Sequence, residues 1–224
     1  MRCCSSLGEL NLGHSACLPN RAILEVLYST GIRRMELVHL KLFDLDLERG
    51  TILIRQGKGK KDRFVPIGDR AAAWVQKYIR EALPKLAMEP DHGTLFLAST
   101  GEEISRDHLT ATVRAYVVHA KIGKTGSCHL FRHTMATLML EGGADIRFIQ
   151  QMLGHASLST TEIYTHVSIR MLKQVHSTTH PAASPDKKNA PLLPHEPAPA
   201  VVPQAEELFA TLDAEAEEEE EGKE

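Results

Sequence analysis

Seven prolines crowd the interval from Pro181 to Pro203, and that density blocks helix and sheet alike. Whatever packs a core must lie before it. After it come a short apolar trace (Leu208, Phe209, Leu212) and the acidic run Glu217–Glu221. The expected organisation is therefore a poorly defined segment over residues 1–19, a globular body over 20–180, and a disordered proline-rich and acidic tail over 181–224. One weak helix is allowed for within that tail, across 204–213. The tail has two readings: a solvated end without a task, or an internal mimic of nucleic-acid charge or docking segment for a neighbour.

Dividing the chain at Pro181 exposes an asymmetry of charge. From there onward twelve acids oppose three bases, which leaves the body with 23 bases against 17 acids. A body of net charge +6 favours a polyanionic partner, and the whole-chain value of -3 conceals it. No run of about eighteen apolar residues is present, so no membrane span is expected. No basic-then-apolar leader is recognised, and Cys3, Cys4, Cys17 and Cys128 form no CxxC pair. A disulfide framework is thus excluded and a reducing cytoplasm is the expected setting. His14 and Cys17 near Cys3-Cys4 fit no standard zinc spacing.

The body reads as mixed and mainly α, with a small antiparallel three-stranded sheet. Ala22, Ile23, Val26 and Leu27 give Arg21–Thr30 a helical period that stops at Gly31. A short helix follows over Met35–Leu40. Thr51–Arg55 and Arg63–Ile67 flank a Gly/Lys turn as a hairpin, and Thr94–Ala98 is the candidate third strand. Asp69 is expected to cap Arg70–Leu83, Ser105 a helix to His119, Ser127 the helix Cys128–Glu141, and Asp145 the helix Ile146–Leu153. Gly142-Gly143 and Gly154 close the last two. Ser159 with Glu162 forms a capping-box pattern, and Ile169–His176 ends the body.

Several cationic residues sit where a core-seeking pattern has no use for them. Arg33 follows the glycine that ends the first helix; it suits either a phosphate's two oxygens or a salt bridge to Glu36. The turn QGKGKKDR puts Lys58 at its tip between two glycines, with Lys60, Lys61 and Arg63 beside it. Such a hairpin can lie along phosphates or be an ordinary basic turn. His129, Arg132 and His133 fall at i, i+3 and i+4 near the start of one helix, so they share a face beside its positive dipole end. Zinc is the rival use of His129 and His133 with His155, but position 130 is Leu where HExxH needs Glu. Tyr164 lies nine residues after His155. A phenol of pKa near ~10 is scarcely ionised at neutral pH, so a nucleophilic Tyr needs cations and a base around it. Arg33, Arg132, His129 and His155 are suitable in kind, and positive groups of this sort favour attack on a phosphodiester.

The stretches LYSTGIRRMEL, GKGKKDRFVPI, HLFRHTMATLMLEGGAD and IQQMLGHASLSTTEIYTHV stand in this order between about Asn20 and Pro181. In them the chain resembles the catalytic domain of the tyrosine recombinases, or phage integrases, of the Xer-like branch. The resemblance implies that Arg33 and Arg132 clamp the scissile phosphate. It implies that Lys58 protonates the leaving 5′ oxygen, that His129 assists proton transfer from the nucleophile, and that His155 hydrogen-bonds the phosphate. Tyr164 would be the nucleophile, with His133 and Glu36 supporting their neighbours. Neither metal nor ATP is implied, because the covalent link conserves the phosphodiester's energy. The implied partner is double-stranded DNA, held by a homotetramer in which Ile169–His176 packs on the next subunit. Most members carry a further N-terminal helical domain around DNA, for which the twenty residues before the match offer no counterpart, so a weaker grip on DNA is expected. Two other functions are carried forward: a non-catalytic DNA-binding relic or regulator of a full-length recombinase, and a metal-dependent nuclease built on the histidines.

Overall fold

The computed structural model describes residues 14–55, 62–88, 93–121, 123, 126–154, 169–180 and 202–221. Its first part runs α1 (His14–Thr30), α2 (Arg34–Val38), a 3-10 turn (Leu42–Asp44), β1 (Leu45–Asp46), β2 (Thr51–Ile54) and β3 (Arg63–Pro66). Then follow α3 (Asp69–Glu81), α4 (Leu83–Leu86), α5 (Arg106–His119), α6 (Cys128–Glu141), α7 (Ile146–Leu153), α8 (Ile169–Thr179) and α9 (Val202–Glu221). The architecture is mainly helical with one antiparallel sheet in the order β1-β2-β3.

The helical period of α1 puts Ala22, Ile23, Val26 and Leu27 on a face that is fully buried, against the Ala71, Val75 and Tyr78 face of α3. The helix stops at Gly31, whose φ of +60° is a left-handed value that a glycine adopts without a Cβ penalty. A Cβ there would also collide with Met135 of α6. The last carbonyls of a helix lack intrahelical partners. Here side chains from later in the chain take them up: His180 Nε2 meets the Tyr28 carbonyl at 2.9 Å and His176 Nε2 meets that of Ser29 at 2.8 Å. Both imidazoles therefore carry a proton on Nε2, since a carbonyl only accepts. These contacts fix the end of α8 on the end of α1.

Several boundaries differ from expectation. The helix read from Arg21 begins at His14 and runs through Pro19. The third strand is β1, pairing Leu45 with Ile52 and Asp46 with Thr51. The Thr94–Ala98 stretch makes only isolated bridges, Lys41 with Thr94 and Leu97 with Glu103. Gly68, not Asp69, holds the capping position of α3, and Ser127 makes no side-chain capping bond to α6. Ser105 and Asp145 do cap their helices, accepting from His108 and Arg147 backbone N–H groups at 3.2 and 2.9 Å. The helix expected after Ser159 lies outside the described residues.

The largest difference is in the tail. Where disorder with one weak helix was expected, Val202–Glu221 forms a twenty-residue helix docked on α6 and α7. Pro203 is tolerated because it sits in the first turn, where an N–H has no intrahelical acceptor. Leu208 and Leu212 are buried, each contributing roughly 1.5–3 kcal/mol of hydrophobic stabilisation.

Candidate active site

Arg33 occupies the capping position of α2, immediately after the Gly31 turn. Its backbone N–H donates to Glu36 Oε2 at 2.8 Å, the N3-to-cap half of a capping box, and its Nη1 donates to Glu36 Oε1 at 3.3 Å. Glu36 is engaged from the other side as well. Arg63 of β3 donates both Nη groups to its two oxygens at 2.7 Å, while Arg63 Nε donates to the Met152 carbonyl at 2.9 Å. Arg63 is thus not a free basic residue of the hairpin, as its place beside the lysines suggested. It ties the sheet to α2 and α7 and fixes the carboxylate that aims Arg33.

Arg132 comes from the opposite direction. It lies on α6, one turn in from the helix start, and is 3% exposed. Nη1 donates to the Gly31 carbonyl at 2.7 Å and Nη2 to the Leu153 carbonyl at 2.9 Å. Those carbonyls belong to the ends of α1 and α7, so Arg132 is seated by the C-termini of two helices, where a cation is favoured. One turn earlier, the ring of His129 lies against Gly126. A Cβ at Gly126 would approach its Nε2 to 3.1 Å, and the φ of +146° there is a glycine conformation.

A residue outside the sequence-based set completes the site. Glu215 of α9 places Oε1 2.5 Å from Arg33 Nη2 and Oε2 3.0 Å from Arg132. One carboxylate thereby joins the two guanidiniums, one oxygen to each. Beside it, His133 stacks on Phe209 with ring centres 5.0 Å apart and meets Asp213 at 3.3 Å. The sequence held one sign of this: Ala205, Leu208, Leu212 and Glu215 are spaced at three, four and three residues, which is one helical face.

The electrostatics follow from burial and like charges. Burial alone would raise the Glu36 carboxyl, but the hydrogen bonds and charge of Arg63, with Arg33, bring it down to about 2. Burial, then the charge of Arg33, lowers Arg132 to about 10 despite Glu215 and Glu36, which still leaves it protonated near neutrality. Burial also disfavours the charge of Arg33, yet Glu215 and Glu36 outweigh it and hold that group above its ordinary value. Two cations this close and this dry need an anion between them. Their donors suit a tetrahedral oxyanion with one oxygen for each fork.

Lys58, His155 and Tyr164 lie outside the described residues, so Arg33, His129 and Arg132 are the members of the expected set that are placed. Among the described residues no group of three or more His, Cys, Asp or Glu is arranged to hold a metal ion, and no helix is long and apolar enough to cross a membrane.

Comparison with known proteins gives a consistent picture. The phage integrase family model matches residues 7–171. The chain is 52% identical over 165 residues to tyrosine recombinase XerC 2 of Ralstonia nicotianae, covering 74% of this chain and 47% of that protein. It is 44% identical to XerD of Chlorobaculum tepidum, covering 73% and 54%. Among solved structures, XerA recombinase superposes with a TM-score of 0.59 at 37% identity, over 73% of this chain and 58% of that one. XerH bound to its difH substrate, in a pre-cleavage complex, gives 0.58 at 30% identity, over 77% and 50%. The chain spans about half the length of these curated relatives.

Proposed function

The chain belongs to the phage integrase family, and from that premise we propose that it cuts and rejoins double-stranded DNA as a site-specific tyrosine recombinase. The observation that carries this reading is the convergence of Arg33 and Arg132, from separate elements, on the two oxygens of a single anion. A phosphodiester presents two such non-bridging oxygens, and their charge grows as a fifth oxygen approaches phosphorus. Donors already fixed by Glu36, Gly31 and Leu153 need not reorganise at that moment.

In this scheme residues 20–180 form the catalytic domain. Tyr164 is the nucleophile, and its proton passes towards His129 as the phenolic oxygen bonds to phosphorus. The bond from phosphorus to the 5′ oxygen breaks, and Lys58 supplies the proton that makes the departing group a 5′ hydroxyl. The product is a 3′-phosphotyrosyl link of similar energy to the bond it replaces, so attack by another strand's 5′ hydroxyl reverses the chemistry without ATP or a metal. His155 adds a hydrogen bond to the phosphate. Four copies on two duplexes would complete an exchange, although α8, expected to pack on the next subunit, lies here on α1 of its own chain.

A nicked suicide duplex, which loses its short 5′ fragment after cleavage, tests the proposal. A covalent protein–DNA band should form in the presence of EDTA and disappear in Tyr164→Phe. Binding without any band would support a non-catalytic DNA-binding regulator, and a cleavage activity abolished by EDTA would point to the metal-dependent nuclease.

A further inference from the structure

Among the acidic side chains described in α9, one carboxylate is turned the wrong way for solvent. Glu206, Glu207 and Glu217 are exposed, as an anionic helix surface should be. Glu215 is only 12% exposed, because it continues the stripe of Ala205, Leu208 and Leu212 by which the helix packs. That stripe brings Glu215 onto Arg33 and Arg132. Phe209 and Asp213, one row over, engage His133 on the same face of α6. Aliphatic packing thus sets the register of the helix, and the register decides which carboxylate enters.

We propose that α9 is an autoinhibitory segment in which Glu215 occupies the place of the scissile phosphate. The inference rests on the reading of Arg33 and Arg132 as the phosphate clamp. A carboxylate carries the same unit charge as a phosphodiester and offers the same pair of acceptor oxygens. Arg33 Nη2 and the outward edge of Arg132 cannot serve Glu215 and a DNA phosphate together. Nη1 and Nη2 of Arg132 also donate to the Gly31 and Leu153 carbonyls, which holds the fork with its Nε edge on Glu215. DNA must therefore displace α9 before its phosphate is clamped, and apparent DNA affinity is reduced by the fraction of molecules in which the helix is docked. The acidic outer face of α9 adds repulsion to occupancy, since the docked helix screens the basic body from an incoming polyanion.

The test uses the full chain and a fluorescent duplex read by anisotropy. Glu215→Gln, which removes the charge and half the acceptor capacity, should tighten binding by roughly tenfold, the size of one charge-assisted hydrogen bond. Glu206→Gln makes the same change of net charge on the exposed face and should stay within about twofold of the unaltered protein. The gain from Glu215→Gln should vanish when Arg132→Ala is also present; Arg33→Lys serves as the background should Arg132→Ala fail to fold. Hydrogen exchange provides the second readout, with residues 202–221 protected in the free protein and losing that protection when duplex saturates it. Equal effects of the two Gln substitutions, or full protection of α9 in the DNA complex, would overturn the inference. If binding depends on Arg132 but not on Glu215, the inference alone fails. If it depends on neither arginine, the phosphate-clamp reading fails and takes the inference with it.

Discussion

Arg132 donates to two backbone carbonyls and to Glu215, so its planar fork is held from three sides. A lysine keeps the charge but offers a single point on a flexible stem, which cannot span those acceptors. Arg132→Lys should accordingly slow covalent trapping of the suicide duplex by about 10²–10³, the usual penalty for one lost oxyanion donor. Glu36 has a different importance, because two arginines lean on it. Glu36→Gln leaves Arg63 buried with half its compensation, and should lower stability by about 3–5 kcal/mol in a denaturant titration. The acid limb carries a sign. Glu36 is ordinarily near 4.5 and is held at about 2, so its contribution is complete above 4.5 and is lost as pH falls through about 2; the Gln variant should lack that portion of the acid transition. The placed cations of the site were legible in the sequence because a guanidinium or imidazole in an apolar helical frame stands out. Glu215 was not, since it is one acid among many in a low-complexity run, and only its helical spacing from Leu208 and Leu212 sets it apart from Glu217.

At the level of elements, the helices with strong periods or good caps were the legible part. α7 matched from Asp145 to Gly154, and α6 matched in both bounds. β1 was illegible for a simple reason: two residues have no period to read, and Leu45-Asp46 becomes a strand only by pairing with β2. α9 was expected only as a weak helix over 204–213, because its stabilisation comes from the surface beneath it, and an acidic stretch read in isolation looks solvated. The joint between α1 and α8 gives a pH prediction of its own. His180 is buried against His176, with ring centres 4.8 Å apart, and Tyr28 and Arg70 lie near it. Burial first, then the charge of His176, lowers it from 6.5 to about 3. A depressed histidine binds protons more readily unfolded, so stability should fall as pH drops below 6.5 and continue to fall towards about 3. His180→Gln keeps a donor for the Tyr28 carbonyl and should flatten that slope in thermal melts across the range.

Across the whole molecule, a basic body and an acidic tail make the response to salt informative. DNA binding by this surface should weaken as salt rises, because each neutralised phosphate releases counterions. Salt also loosens the ion pairs that hold α9, which frees binding sites as it weakens them. The logarithmic salt slope of DNA affinity should therefore be shallower for the unaltered chain than for Glu215→Gln, a difference measurable by anisotropy over a salt series. The prolines and the charge count led to an expected body and tail, whereas the docking of Val202–Glu221 on α6 and α7 was not legible, because it depends on an arginine pair assembled from α1–α2 and α6. That closure has a consequence for how the protein can be controlled. The competing carboxylate and the site it covers are parts of one polypeptide, so their mutual encounter does not change with how many molecules a cell holds. Dilution would leave the restraint in place, and overproduction would not strengthen it; only a ligand able to outbid a permanently tethered rival, or a cut in the tether, would lift it.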